Sequence, residues 1–258
     1  MTERIELPAA YTLHALDSVD SVMDEAWRLI AAGAGEGALV WARSQTAGRT
    51  QRGRPWPSPP GNLYLGLVLR PDTAAERDPA LALLALCACG SALGEIAPPM
   101  TDLKYRWPDR VIVNGAACAG VVLEDAGPGQ AGDALVLGAF VNVHSHAPDQ
   151  QAAASSLAAE GFQDMRVEDV LTGFCRHFAR WAGLWSEQGI GPAVRQIEGR
   201  LDSTERSVTA TAGAGTVRGE VVGLDQTGAA RVNAGGAELR LTLTEYFGLA
   251  PANAGPGQ

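Results

Sequence analysis

Residues 43–70 read RSQTAGRTQRGRPWPSPPGNLYLGLVLR. Arginines alternate with glycines in the first half of this stretch, and the apolar run Leu63–Leu69 follows the turn sequence SPPGN. Glycine lets backbone N–H groups approach an anion closely, and guanidinium groups are forked, permanently charged donors for phosphate or carboxylate. The stretch therefore predicts an anion-binding loop that leads into a buried strand. The alternative for such a charge run is a solvated surface.

On both sides of this stretch, strand patterns alternate with helical patterns. A helix is predicted from Asp20 or Ser21 to about Gly33, and another runs from Asp78 until Pro98 ends it. The longest helix is predicted over Val167–Gln188, where apolar and aromatic residues keep helical spacing. Further strands are predicted at 38–43, 103–106, 110–113, 118–124 and 135–143, and a shorter helix at 192–200. This order predicts an α/β (α+β) fold with a mixed β-sheet flanked by helices.

The composition changes after Leu201. β-branched residues and glycines recur at short intervals there, which predicts a small all-β C-terminal domain. We therefore predict a core domain over 1–200, a small β-barrel-like domain over 201–250 with few contacts to the core, and a disordered tail over 251–258. Residues 146–161, HAPDQQAAASSLAAEG, are predicted to form a mobile excursion.

Composition narrows the class of protein. The 258 residues are 46% hydrophobic, carry a formal net charge of −9 and contain no apolar run as long as the roughly 18 residues of a membrane helix. With a pI of about 4.9, nucleic-acid binding is disfavoured. The four cysteines lack metal-site spacing and are interpreted as reduced core residues, while His144 and His146 have no evident third ligand. We predict a soluble cytoplasmic protein that binds neither membrane nor nucleic acid and has no metal site of its own.

Several ordered motifs resemble those of biotin protein ligases, whose wider family includes the lipoate ligases. The first half of the opening stretch, QTAGRTQRGRPW, resembles the ligand loop that folds over the acyl cofactor and its adenylate. The other matching segments are LDSVD (16–20), SPPGNLY (58–64), RWPD (106–109), AGVVLE (119–124), VLGAFVNV (136–143) and, more loosely, GEVVGLDQTGAARV (219–232). The resemblance begins almost at residue 1, so we expect no N-terminal winged helix of the repressor type.

The resemblance implies a catalytic-core fold and a ligand site. The implied ligand-binding residues are Ser18, Gln45, Gly48, Arg49, Arg52, Arg54, Trp56, Arg106, Asp109, Gly120 and Gly138. The implied cofactors are ATP and Mg²⁺, with biotin or lipoate as the candidate ligand, and the implied partner is a biotinyl or lipoyl carrier domain. Each residue also has a purely structural alternative, such as a turn for a glycine or a helix cap for Ser18.

The departures from the family pattern bear on activity. Ala117 stands where the family has a lysine that supports adenylate formation, and the chain's single lysine is Lys104. Asp109 and Arg110 replace an asparagine and an aspartate, and Gln51 replaces an arginine of the loop. A cation near the reacting oxygens stabilises developing negative charge, so its loss predicts weak or absent ligase activity. Two hypotheses stay open: a divergent ligase-like enzyme, and a non-catalytic sensor or carrier-binding module.

Overall fold

The computed structural model describes residues 5–51, 53, 55–70, 78–125, 134–146, 154–212 and 215–249. The helices are Val22–Ala31 (α1), Leu81–Ile96 (α2), Val167–Gln188 (α3), Gly191–Glu198 (α4) and Leu243–Phe247 (α5). The strands are Thr12–Leu16 (β1), Ala38–Ala42 (β2), Leu63–Leu69 (β3), Leu103–Arg106 (β4), Arg110–Val113 (β5), Ala116–Asp125 (β6), Leu135–Val141 (β7), Ser207–Ala212 (β8), Gly215–Leu224 (β9), Ala230–Ala234 (β10) and Ala237–Leu241 (β11). Arg52, Arg54 and the predicted tail lie outside the described residues.

Seven strands form one mixed sheet in the order β1-β2-β3-β7-β6-β5-β4. β1 and β2 are parallel, and each other neighbouring pair is antiparallel. The predicted mixed sheet flanked by helices is therefore confirmed. Strands β2, β3 and β7 are buried along their whole length, as their continuous apolar sequences predict.

The two faces of this sheet are covered differently. On one face, α1 packs over β2, β3 and β7 with a core that includes Met23, Val122 and Phe140. Ser21 begins α1, because its Oγ accepts hydrogen bonds from the N–H groups of Met23 and Asp24. On the other face, α2, α3 and α4 bury the larger core. We call the first side the α1 face; it carries the candidate site.

A tight turn sets the register between β5 and β6. Asn114 and Gly115 have φ angles of +50° and +89°, a pair of conformations that asparagine and glycine adopt most readily. The predicted Asn114-Gly115 hairpin is thus present. Beyond the turn, the pairing shifts between Val111 and Ile112, so Val111 pairs with Ala119 and Ile112 with Ala117. This irregularity leaves Cys118 as the extra residue of a β-bulge.

The C-terminal strands form a separate antiparallel sheet in the order β11-β10-β9-β8, which confirms the small all-β unit. The small unit is packed against the core. Leu224, Leu241 and Phe247 belong to the same continuous apolar cluster as α2 and the large sheet. The indole N–H of Trp107 also donates to the carbonyl of Gly228 at 2.9 Å. The boundary at residue 200 stays a prediction.

The predicted mobile excursion is wrong for its second half, 154–161. Ser155, Ser156 and Leu157 are buried. The Ser155 N–H donates to the Ala117 carbonyl at 3.1 Å, and the Asn142 side chain donates to the Ser155 carbonyl at 3.0 Å. Backbone groups that find partners inside the fold hold a loop in place whatever its polarity. Residues 147–153 lie outside the described part.

Candidate functional site

We call residues 45–56 the arginine loop, and its base is held by internal hydrogen bonds. Gln45 is buried, its Oε1 accepts from the Val22 N–H at 2.8 Å, and its Nε2 donates to Ser58 Oγ at 2.9 Å. A Cβ on Gly48 would lie 2.5 Å from the same Ser58 Oγ and 2.7 Å from the Trp56 carbonyl. Gly48 is therefore required for loop packing, and the Gln45 amide is engaged within the protein.

Arg49 is the centre of an ion-pair cluster. Its Nη1 lies 2.8 Å from an Asp24 carboxylate oxygen on α1, and its Nη2 lies 3.0 Å from Glu124 at the end of β6. Glu124 also accepts from the indole N–H of Trp27 at 3.0 Å. The predicted ligand residue thus ties the loop to a helix and a strand. Ser18, also predicted, is exposed between β1 and α1.

Gln51 forms a second tie. Its Nε2 donates to the carbonyls of Leu123 and Phe247 at 3.0 and 2.9 Å, and its Oε1 accepts from the Leu123 N–H at 2.9 Å. One side chain thereby joins the loop to β6 and to α5. The sequence marks Gln51 only as a missing arginine, and this positioning role becomes visible with the tertiary structure.

The space above Gly138 is filled by side chains. A Cβ on Gly138 would lie 2.7 Å from Met23 Sδ and 3.0 Å from the Phe140 ring. Phe140 packs between Trp56 and Tyr64, at ring-centroid distances of 6.1 and 6.5 Å. This aromatic group closes the α1 face beside the arginine loop, so a bulky ring would fit there only if these side chains moved.

A polar cleft of about 280 Å³ opens next to this aromatic group, between the large sheet and the small one. Its lining residues are Thr50, Gln51, Arg106, Trp107, Asp109, Arg110, Glu205, Ser207, Val208, Thr209 and Tyr246. Four of them, Glu205, Ser207, Val208 and Thr209, come from residues 205–209, where the motifs quoted for the resemblance place no ligand residue. The C-terminal segment therefore supplies one wall of the candidate site.

Two other cationic side chains near the cleft also form ion pairs. Arg106 contacts two carboxylates, Asp202 at 2.8 Å and Glu205 at 3.0 Å. Burial raises the pKa of Asp202, but hydrogen bonds from the Thr204 backbone and from Arg106 outweigh it, so the pKa lies below its usual range. Lys104 lies two residues before Arg106 on β4 and pairs with Asp102 at 2.8 Å.

Arg110 has one carboxylate partner and also packs against an aromatic ring. Its Nη1 lies 3.2 Å from the buried Asp109 carboxylate and donates to the Asp109 carbonyl at 3.3 Å. The guanidinium carbon is 5.5 Å from the centroid of the Trp56 ring. A Cβ on Gly120 would lie 2.5 Å from Arg110 Nη1, so Gly120 leaves the room that this guanidinium occupies. Arg110 therefore joins the predicted residues Trp56, Asp109 and Gly120 into one group.

Ala117 lies on the same face of the sheet. Ala117 pairs with Ile112 on β5. The two neighbours of Ile112, Val111 and Val113, face the larger core on the opposite side of the sheet. Strand alternation then turns Ala117, the residue predicted to stand at the family's lysine position, toward the α1 face. The neighbouring thiol offers no replacement nucleophile, since burial raises the pKa of Cys118 to about 12 and leaves it protonated at neutral pH.

Comparison with known proteins agrees with this architecture. Residues 56–198, more than half of the chain, match the model of the biotin/lipoate A/B protein ligase family. The chain belongs to this family. It is 34% identical over 220 residues to a biotin–[acetyl-CoA-carboxylase] ligase of Paracoccus denitrificans, covering 83% of this chain and 91% of that protein.

Solved structures of biotin protein ligases have the same fold. The Aquifex aeolicus biotin protein ligase in complex with biotin and ATP superposes with a TM-score of 0.75 and 25% identity, covering 91% of this chain and 97% of that one. A biotin protein ligase-like protein of unknown function from Silicibacter sp. TM1040 superposes with a TM-score of 0.70 and 23% identity, over 96% and 100% of the two chains. The second likeness concerns the fold alone.

Asp109, the residue that could hold Mg²⁺, is ion-paired with Arg110, so a metal ion would compete with that guanidinium for the carboxylate oxygens. In the described part of the chain, no group of three or more His, Cys, Asp or Glu side chains is placed to hold a metal ion. No helix in those same ranges is both long and apolar enough to cross a membrane.

Proposed function

We propose that this member of the biotin/lipoate A/B protein ligase family binds an acyl cofactor or its adenylate and forms that adenylate weakly or not at all. The observation that supports this best is the cleft beside the arginine loop, with Arg106 and Arg110 on its wall and Ala117 in place of a lysine. Guanidinium groups bind phosphate and carboxylate well, so ligand binding is retained. The amine that would stabilise developing charge at the reacting oxygens is missing.

The candidate ligands are biotin, lipoate or a related carboxylate. Biotin is favoured by the Paracoccus and Aquifex relatives, whose names specify it. The packing of Met23 and Phe140 above Gly138 favours a ligand with a smaller head group. ATP and a biotinyl or lipoyl carrier domain belong to the same proposal as co-substrate and partner, and a cytoplasmic location stays a prediction.

A carboxylate-dependent adenylation assay tests the proposal. Pyrophosphate release from ATP is measured with biotin, lipoate and octanoate, and the Paracoccus ligase serves as the positive control. We expect rates about 10²–10³-fold below the control, the usual cost of a missing charge stabiliser. Rates equal to the control would overturn the claim of weak adenylation.

The second candidate is a non-catalytic sensor or carrier-binding module, which the Asp109–Arg110 pair and Ala117 favour. An assay with preformed biotinyl-adenylate and a biotin carrier domain distinguishes such a module from a weak ligase. A divergent ligase transfers biotin to the carrier lysine. A sensor binds the adenylate, and no biotin reaches the carrier beyond the protein-free reaction.

A further inference from the structure

The arrangement of charge across β4, β5 and β6 contains a feature that the proposed function does not explain. Arg106 and Arg110 are direct cross-strand partners, so their side chains project from the same face into the cleft. Like charges directly opposite each other destabilise a sheet. Arg106 is compensated by two carboxylates, whereas Arg110 has one, Asp109.

Only one nitrogen of the Arg110 guanidinium, Nη1, makes polar contacts with the described residues. The side chain is 13% exposed and its guanidinium packs against the Trp56 ring. A guanidinium has five N–H donors in a fixed fork, so the remaining donors can bind an anion in a partly desolvated place, where charge acts strongly.

We infer that Arg110 is the anion-binding residue of this cleft and takes the phosphate of a nucleoside 5′-monophosphate or its acyl ester without a divalent cation. This rests on the proposed function and specifies its ligand class. Arg110 lies on β5 and pairs with Gly120, three residues beyond Ala117 on β6, so it places a cation near the position where the resemblance implies a lysine. Because Arg110 is ion-paired with Asp109, that carboxylate is not free to hold Mg²⁺, and the remaining N–H donors of Arg110 bind a monophosphate in place of a magnesium–triphosphate complex.

Titration calorimetry on the full chain tests this with AMP and with biotinol-5′-AMP, a stable phosphodiester analogue. Each titration is run with Mg²⁺ and again with EDTA. We expect the Kd for AMP to change less than about twofold on chelation. Arg110→Gln should weaken binding about 10–100-fold, as expected for a lost charge-assisted hydrogen bond. Arg110→Lys keeps the charge and loses the forked donors, so its affinity should lie between those of the wild type and Arg110→Gln.

Two further variants keep the test decisive. Arg110→Gln leaves Asp109 buried without its partner, so the double variant Asp109→Asn/Arg110→Gln removes both charges and should also bind weakly. Arg176→Gln, an exposed arginine on α3 that pairs with Glu95, is the matched control and should bind like the wild type. Wild-type binding that Arg110→Gln leaves unchanged, or that EDTA abolishes, overturns the inference and leaves the proposed function standing. No binding of either probe by the wild type overturns both.

Discussion

Gln51 is hydrogen-bonded to both backbone groups of Leu123: its Nε2 donates to the Leu123 carbonyl at 3.0 Å, and its Oε1 accepts from the Leu123 N–H at 2.9 Å. A side-chain amide can satisfy an acceptor and a donor at once, which an arginine at this position cannot do. The same Nε2 reaches the Phe247 carbonyl of α5. The arginine loop is therefore fixed to the strand beneath it and to the C-terminal unit by the protein's own side chains.

Replacing Gln51 with alanine should release this part of the loop. Three hydrogen bonds are lost and backbone groups of Leu123 are left without their partner, which costs about 1–3 kcal/mol. We expect faster tryptic cleavage after Arg49, measured by mass spectrometry of timed digests. Gln226→Ala, in an exposed turn of the small sheet, is the control. Equal cleavage rates in the two variants would mean that Gln51 does not hold the loop.

The ion pairs of Arg49 can be tested apart from any ligand. Arg49→Met should lower the free energy of unfolding by about 1.5–3 kcal/mol, because charge-assisted hydrogen bonds to Asp24 and Glu124 are lost. A double-mutant cycle with Glu124→Gln, measured by urea denaturation, should show a coupling energy of about 0.5–3 kcal/mol. If the coupling is zero, Arg49 does not stabilise the fold through Glu124, and its predicted role as a ligand residue gains weight.

Stability should depend on pH through Asp202. This carboxyl is 1% exposed, and its folded-state pKa lies below its usual value of about 3.9. A lowered folded-state pKa stabilises the protein above the unfolded-state value, and the contribution is lost as the pH falls through the folded-state value. Asp202→Asn should therefore be less stable at pH 7 and lose less stability than the wild type below about pH 4. Glu187→Gln, exposed near the end of α3, is the control; identical pH profiles for Asp202→Asn and the wild type would contradict the assignment.

The Phe140 ring should control access to the space above Gly138. Phe140→Ala removes a ring that is 4% exposed and should cost about 3–5 kcal/mol of stability. It should also increase the affinity for biotin, measured by calorimetry, because the ring no longer fills the α1 face. Phe140→Leu keeps most of the apolar volume, so its affinity for biotin should increase less. If both variants bind biotin as the wild type does, the ring does not limit the ligand.

The sequence predicts those parts of this molecule that depend on neighbouring residues. Helix α3 is predicted over its observed range because its apolar positions keep helical spacing and Gly189, at φ +69°, ends it. The hairpin at Asn114-Gly115 is equally local. The Arg49–Glu124 pair joins residues 75 positions apart, and no local pattern indicates it.

The candidate site is harder to predict for the same reason. The motifs correctly locate the loop and β6, but the cross-strand pairing of Arg106 with Arg110 depends on the register of the sheet. The contribution of Glu205 and Ser207 depends on how the small sheet packs against the large one. The sequence alone interprets Arg110 as an obstacle to metal binding, whereas the structure places its guanidinium over Gly120 on the wall of the cleft.

Position 117, where the resemblance implies a lysine, can be tested by restoring the amine. Ala117→Lys alone should recover little adenylation, because Arg110 already occupies the same face and holds Asp109. Ala117→Lys combined with Asp109→Asn and Arg110→Asp removes that cation and supplies an amine beside an acceptor suited to Mg²⁺. Since a charge stabiliser is worth about 10²–10³ in rate, biotin-dependent pyrophosphate release should rise by up to that factor. Gln51 is kept, because it positions the loop.

The control for this variant is an amine one residue away. Ala116 pairs with Val113, a residue of the opposite core, so alternation turns Ala116 away from the cleft. Ala116→Lys with the same two substitutions therefore adds the charge without placing it on the α1 face, and its rate should stay at the parent level. An equal rise in both triple variants would show that net charge, and not the position of the amine, governs the rate. No rise in either would show that Ala117 is not the residue whose replacement limits adenylation.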